Sequence, residues 1–182
     1  MKKLFIFAIA LLAVQNCLLA QANNNKTLFG EIELGYGFGL SDQSTSYNLS
    51  YDNFSGRMYL ANFRAKAGYY LTPQISLGLG IGLNGYHNTN INTLPVVIDL
   101  QYHLKSMSNL FTYVNIGASI APSDAYTSGF VSDIGLGYRI TLGKRILKPS
   151  VGYDLFRYSQ NLGIDSETHI RHTLFMRLGF EF

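Results

Sequence analysis

Cysteine is almost missing from this chain: Cys17 is the one such residue in 182. It lies in an N-terminal segment expected to be removed, so disulfides and thiol catalysis are excluded for the mature chain. Charge is also scarce. Charged residues make up 14% of the sequence, against about 25% in an ordinary soluble domain. The formal net charge is +3 and falls to +1 without Lys2 and Lys3 (12 basic minus 11 acidic), which gives no electrostatic case for nucleic acid as a partner. Past the N-terminal segment no apolar run approaches the roughly 20 residues of a membrane helix, and mean hydropathy is only +0.09.

The N-terminal segment reads as a secretory signal peptide. Lys2 and Lys3 supply a positive start, Leu4 to Val14 an apolar stretch, and Ala20 and Ala22 small residues around Gln21. The apolar stretch is too short to span a bilayer as a helix. Cys17 follows Asn16 rather than a small residue, so cleavage is expected after Ala20 or Ala22 and not at a lipidated cysteine. The expected organisation is a signal peptide over 1–22 and one domain over 23–182, a length that fits a single domain.

What the chain does contain is Tyr (13), Phe (12) and Gly (18), a composition that suits strands and turns. The mature sequence divides into eight segments with period-2 alternation, and a strand sends successive side chains to opposite faces. In the first, Leu28, Ile32, Leu34, Tyr36, Phe38 and Leu40 share one face, and Glu31, Glu33, Gly35, Gly37 and Gly39 the other. The remaining segments are expected at 58–71, 75–86, 94–104, 110–120, 129–142, 146–156 and 169–182. Phe111 and Tyr113 fall on the more polar face of the fifth, and Pro149 interrupts the ladder of the seventh. Longer connections (41–56, 87–93, 121–128, 157–168) alternate with shorter ones (72–74, 105–109, 143–145). Tyr69, Tyr70, Tyr102, Tyr138, Phe180 and Phe182 lie near strand ends, where an interfacial aromatic girdle would sit.

The predicted fold is all-β: an eight-stranded antiparallel up-and-down transmembrane β-barrel, which satisfies every backbone group in lipid without helices. The alternative is a soluble barrel of the lipocalin type with the apolar face inside. Glycine and balanced charge on one face favour a narrow polar lumen. The inward set pairs six acids (Glu31, Glu33, Asp99, Asp133, Asp154, Glu181) with six bases (Arg64, Lys66, Arg139, Lys148, Arg171, Arg177). Eight strands leave an interior just filled by side chains, so the two signs are expected to pair across it.

Several stretches together resemble the small outer-membrane β-barrel family, the OmpX/OmpA-transmembrane-like and porin-family proteins of Gram-negative bacteria. They are Glu33-Leu34-Gly35-Tyr36-Gly37, Tyr70-Leu71-Thr72-Pro73 leading into Ile75-Ser76-Leu77-Gly78, Asp133-Ile134-Gly135-Leu136-Gly137-Tyr138, and terminal Phe182, behind a signal peptide. The resemblance spans nearly the whole mature chain and implies a bacterial outer-membrane location, with outer-membrane lipid and lipopolysaccharide as surroundings. It also implies that the terminal aromatics Phe180 and Phe182 are read by the barrel-assembly machinery. Arg177 stands where that signal usually has glycine, and Phe175 where it has a polar residue.

Other motifs carry less chemistry. Gly80-Ile81-Gly82-Leu83-Asn84-Gly85 fits a GxGxxG string, but no helix follows to receive a pyrophosphate, so no cofactor is expected. His169 and His172 point to opposite faces of a strand, which argues against a metal. His103 with Ser150, or His172 with Ser166, would be the pairs for a lipid-modifying rim enzyme; no catalytic residue is expected. Loop residues Tyr47, Tyr51, Asp52, Phe54, Asp124, Tyr126, Asp165 and Glu167 could meet a surface partner or divalent cations, though ordinary solvated loops are the simpler reading. The expected role is a structural or surface-interaction barrel with a charge-plugged lumen, expected as a monomer, with a porin-like channel for ions or small solutes and a lipid-modifying barrel enzyme as alternatives.

Overall fold

The computed structural model describes residues 28–45, 58–87, 91–107, 109–123, 125–161 and 166–182. The expected signal peptide, and Tyr47, Tyr51, Asp52, Phe54, Asp124 and Asp165, lie outside the described residues.

Eight strands follow one another: β1 Leu28–Thr45, β2 Tyr59–Tyr70, β3 Ile75–Tyr86, β4 Ile91–His103, β5 Leu110–Ile120, β6 in two segments (Gly129–Tyr138 and Ile140–Leu142), β7 Arg145–Asn161 and β8 Ser166–Glu181. Each pairs antiparallel with its chain neighbour. β1 also pairs with β8, Ile32 opposite Phe180 and Leu34 opposite Leu178, which closes the barrel and leaves no free sheet edge among the described residues. The two segments of β6 share one register against β7, Gly137 opposite Ser150 and Ile140 opposite Leu147. The interruption between them, at Arg139, faces Lys148, and beside it Tyr138 faces Pro149, which has no N–H to give to the ladder.

The alternation separates two chemistries. Leu34 (61% exposed), Leu79 (65%) and Ile98 (55%) stand with many other large apolar side chains on the outside. Arg64, Asp99 and Asp154 are wholly buried inside. An apolar band circling the molecule far exceeds what a water-soluble monomer exposes, and with a polar interior it is the pattern of a transmembrane barrel. The soluble barrel with an apolar core is thereby excluded.

Three expectations need correction. Residues 41–45 and 157–161 do not belong to loops. They extend β1 and β7, pairing with Thr168–His172 and Ser166–Ile170 of β8, because ladder hydrogen bonds do not depend on side-chain polarity. Tyr70 does not join the outer girdle of Tyr69, Tyr102 and Tyr138. It points inward, and its hydroxyl donates to Glu181 Oε1 at 2.7 Å. Finally, β4 begins three residues earlier than the pattern suggested, at Ile91.

Glycine makes room for the interior rings. A Cβ on Gly135 would lie 2.4 Å from the Tyr113 hydroxyl, and one on Gly137 would lie 2.3 Å from the Phe111 ring. Gly143, at φ 65°, supplies the left-handed residue of the tight Leu142–Arg145 hairpin.

Candidate functional site in the barrel interior

The alternation of six strands delivers the charged side chains to the lumen, where they form tiers. The tier nearest the short turns is centred on two lysines. Lys148 Nζ donates to Glu31 Oε2 (2.7 Å), Gln101 Oε1 (2.7 Å) and Glu181 Oε2 (3.3 Å). Lys66 Nζ donates to Glu33 Oε1 (2.7 Å) and Asp99 Oδ1 (2.9 Å). Gln101 Nε2 joins the two groups by donating to Asp99 Oδ2 at 2.6 Å. At the mouth, Arg139 Nη2 lies 3.6 Å from Glu181 Oε1 and donates to the Tyr70 hydroxyl at 3.3 Å.

The middle tier is a carboxylate held by two guanidinium groups. Asp133 Oδ2 accepts from both terminal nitrogens of Arg64 at 3.1 Å. Its Oδ1 accepts from Arg177 Nη1 (2.8 Å) and Asn115 Nδ2 (2.7 Å). Arg177 also lies across the Phe175 ring at 3.8 Å. Charge-assisted bonds of this kind are about twice as strong as neutral ones. Removing one partner of such a buried group exposes the desolvation cost of the other, about 3–5 kcal/mol.

Toward the long loops the interior becomes aromatic. Leu60, Tyr86, Ile91, Val131, Phe156 and Tyr158 form one buried cluster. Tyr86 stacks on Phe156 (5.2 Å), Phe156 on Tyr158 (4.9 Å) and Tyr158 on His169 (4.9 Å). Asp154, directly opposite Asp133 in register, accepts from the Tyr86 hydroxyl at 3.2 Å. Arg171 Nη2 donates to the His87 carbonyl (3.3 Å), and its guanidinium lies over the Tyr86 ring at 4.8 Å. Asn62 donates to Asn84 beside them.

The structure thus brings Glu31, Glu33, Arg64, Lys66, Asp99, Asp133, Arg139, Lys148, Asp154, Arg171, Arg177 and Glu181 into one interior, with Arg139 the most exposed of the bases at its mouth. Phe111 and Tyr113 turn inward, where they pack with Phe175. One interior charge was missed. Asp42, beyond Leu40 on the face opposite to Glu31 and Glu33 by simple alternation, is buried inside. A register shift between Gly39 and Ser41 reverses the faces, and Asp42 Oδ1 then lies 3.6 Å from His169 Nδ1. Nothing in the residue pattern marks that bulge.

The candidate chemical motifs are dispersed. Gly80 to Gly85 lie within β3 with no helix after them. His103 lies between the Tyr70 and Phe111 rings (5.8 and 5.7 Å), and neither of its ring nitrogens has a hydrogen-bond partner, Ser150 included. His172 bonds the Tyr153 hydroxyl; the side chain of Ser166 lies outside the described residues. Among the described residues no three His, Cys, Asp or Glu side chains converge as metal ligands.

No family model matches the sequence, and no curated protein does. Solved structures do match. The outer membrane protein OprG from Pseudomonas aeruginosa is 13% identical, with 86% of this chain and 96% of that one covered and a TM-score of 0.47. The N-terminal β-barrel domain of Pseudomonas aeruginosa OprF is 20% identical, with 85% and 97% covered and a TM-score of 0.42. Neisserial surface protein A is 10% identical, with 82% and 95% covered and a TM-score of 0.44. The chain is similar in fold to small outer-membrane β-barrels.

Proposed function

We propose that this chain is an integral barrel of the bacterial outer membrane, with a sealed lumen and a structural or surface-contact role exercised at its loop end. The observation that carries the reading is the interior itself. Lys66, Lys148 and the Arg64–Asp133–Arg177 group cross the lumen between buried partners, and a stacked aromatic cluster follows in series. An ion entering would have to separate a desolvated pair and then pass an apolar plug, each step costing several kcal/mol. The apolar exterior supports lipid and lipopolysaccharide as the surroundings. The reading is of a monomer without enzymatic activity, cofactor or nucleic-acid partner.

Phe180 and Phe182 serve as the signal to the assembly machinery in this reading. Phe182 closes the β1–β8 seam through reciprocal backbone bonds with Gly30 (3.0 and 2.8 Å). Deleting Phe182 is expected to lower the amount of assembled barrel in cells while leaving refolding into detergent intact.

Single-channel recording in planar bilayers tests the seal. The expected result is no stable conductance above background. Stable openings from the wild-type chain would replace this reading by a small conduit. Heat-modifiable migration and recovery in the outer-membrane fraction are expected; a detergent-free soluble monomer would overturn the membrane reading.

A further inference from the structure

The outer wall changes character at the loop end of β7 and β8. Tyr158 and His169 face the lumen, so alternation turns Arg157, Ser159 and Thr168 outward. The register shift between Gly39 and Ser41 does the same for Gln43 on β1, which stands opposite Ile170. Arg157, Ser159 and Gln43 are exposed, and the Ser159 and Thr168 hydroxyls meet at 3.4 Å. One row nearer the barrel's middle, His172 bonds the Tyr153 hydroxyl on the same outer face.

These polar groups lie level with the membrane interface. Arg157 stands opposite Phe130, which is exposed, in the β6–β7 ladder, and opposite Ile170 in the β7–β8 ladder. On this face of β8 the exposed apolar band begins at Leu174, directly after His172. Across β1 toward β2 the wall at this end is aromatic instead: Tyr36, Phe38 and Tyr59 pack with ring centroids 5.5–6.0 Å apart. The polar strip interrupts an otherwise apolar ring.

No acid among the described residues pairs with Arg157. The residues opposite it on both sides are apolar, and the described acids nearest in sequence on β7 and β8, Asp154 and Glu167, belong to the inward face. A guanidinium so placed matches phosphate oxygens, which it holds through two parallel N–H bonds. Hydroxyl and amide side chains beside it both donate and accept. They fit the hydroxyls of a sugar and would find no partner on an acyl chain.

We propose that Arg157, Gln43, Ser159 and Thr168 bind the phosphorylated sugar headgroup of the glycolipid in the outer leaflet. Arg157 takes a phosphate and the neutral side chains take the sugar. The Tyr153–His172 pair lies at the floor of the strip, where headgroup gives way to acyl chain. This rests on the membrane reading above.

The test is native mass spectrometry of the protein refolded in detergent and offered equal amounts of phosphatidylglycerol and lipid A, the phosphorylated disaccharide anchor of lipopolysaccharide. Both lipids bring phosphate, and only lipid A brings phosphorylated sugar. The expected result is lipid A retained several-fold above phosphatidylglycerol. Arg157→Gln should lower lipid A retention about five-fold, and Arg157→Lys by less. Ser159→Ala with Thr168→Ala should narrow the preference between the two lipids while leaving phosphatidylglycerol retention unchanged. Arg145→Gln, at the opposite end of the barrel, should change neither. Equal retention of the two lipids by the wild type, or undiminished lipid A on Arg157→Gln, overturns the proposal and leaves the membrane reading intact. An equal loss on Arg145→Gln also overturns it, since charge anywhere on the surface would then suffice. A wild type that stays soluble without detergent overturns both readings. Should Arg157→Gln fail to fold, Arg157→Lys and the double alanine variant decide, and wild-type lipid A preference in both overturns the proposal.

Discussion

The two halves of the lumen are filled by different means. Near the turns, two lysines and four carboxylates interlock through Gln101. Near the loops, rings stack from Tyr86 to His169, with Asp154 and Arg171 fitted among them. The same barrel radius is closed by electrostatics at one end and by packing at the other. The first is directional and fails when one partner goes. The second is distributed over many contacts and fails by leaving a cavity. Asp133, between Arg64 and Arg177, stands where one regime gives way to the other.

Substitutions separate these regimes. The largest effect is expected for Asp133→Ala, which leaves two buried guanidinium groups without their carboxylate: a loss of about 3–5 kcal/mol, read from urea unfolding in vesicles. Lys148→Met should come next, toward the lower end of about 3–5 kcal/mol, since Glu31 and Glu181 lose their cation. Adding Glu31→Leu to it should recover part of that loss; no recovery would mean that the pair is not the unit of stability. Phe156→Ala should cost about 3 kcal/mol through the cavity in the stack, without the steep loss that follows an orphaned ion. The smallest effect is expected for Tyr86→Phe, about 1–2 kcal/mol, from the hydrogen bond withdrawn from Asp154. If Tyr86→Phe matched Asp133→Ala, the distinction between the halves would fail.

The charged interior was largely legible in the residues, because inward acids and bases recur at every second position of long strands. Twelve inward charges follow from that rule alone, as does the inward turn of Phe111 and Tyr113. Asp42 did not follow, since one inserted residue at Leu40 reverses the parity of what comes after it. Tyr70 was placed among the girdle aromatics by its position near a strand end, although alternation from Tyr69 sends it into the mouth. The strand extensions were hidden because Ser41 to Thr45 and residues 157–161 read as polar connections. Their ladder with β8 depends on backbone groups that composition does not mark.

By itself the sequence determined the strands, their number and the division of side chains into two faces, because a two-residue period is a local property of extended backbone. Period alone leaves open which face is inside; glycine and balanced charge favoured the charged face, and the tertiary structure settled it. Closure of β1 on β8 makes one face convex and lipid-sized and the other a narrow lumen. Closure also decided the partners. Lys148 meets Glu31, and Arg64 meets Asp133, from strands far apart in the chain, and such contacts exist only once the sheet has curved through a full circle.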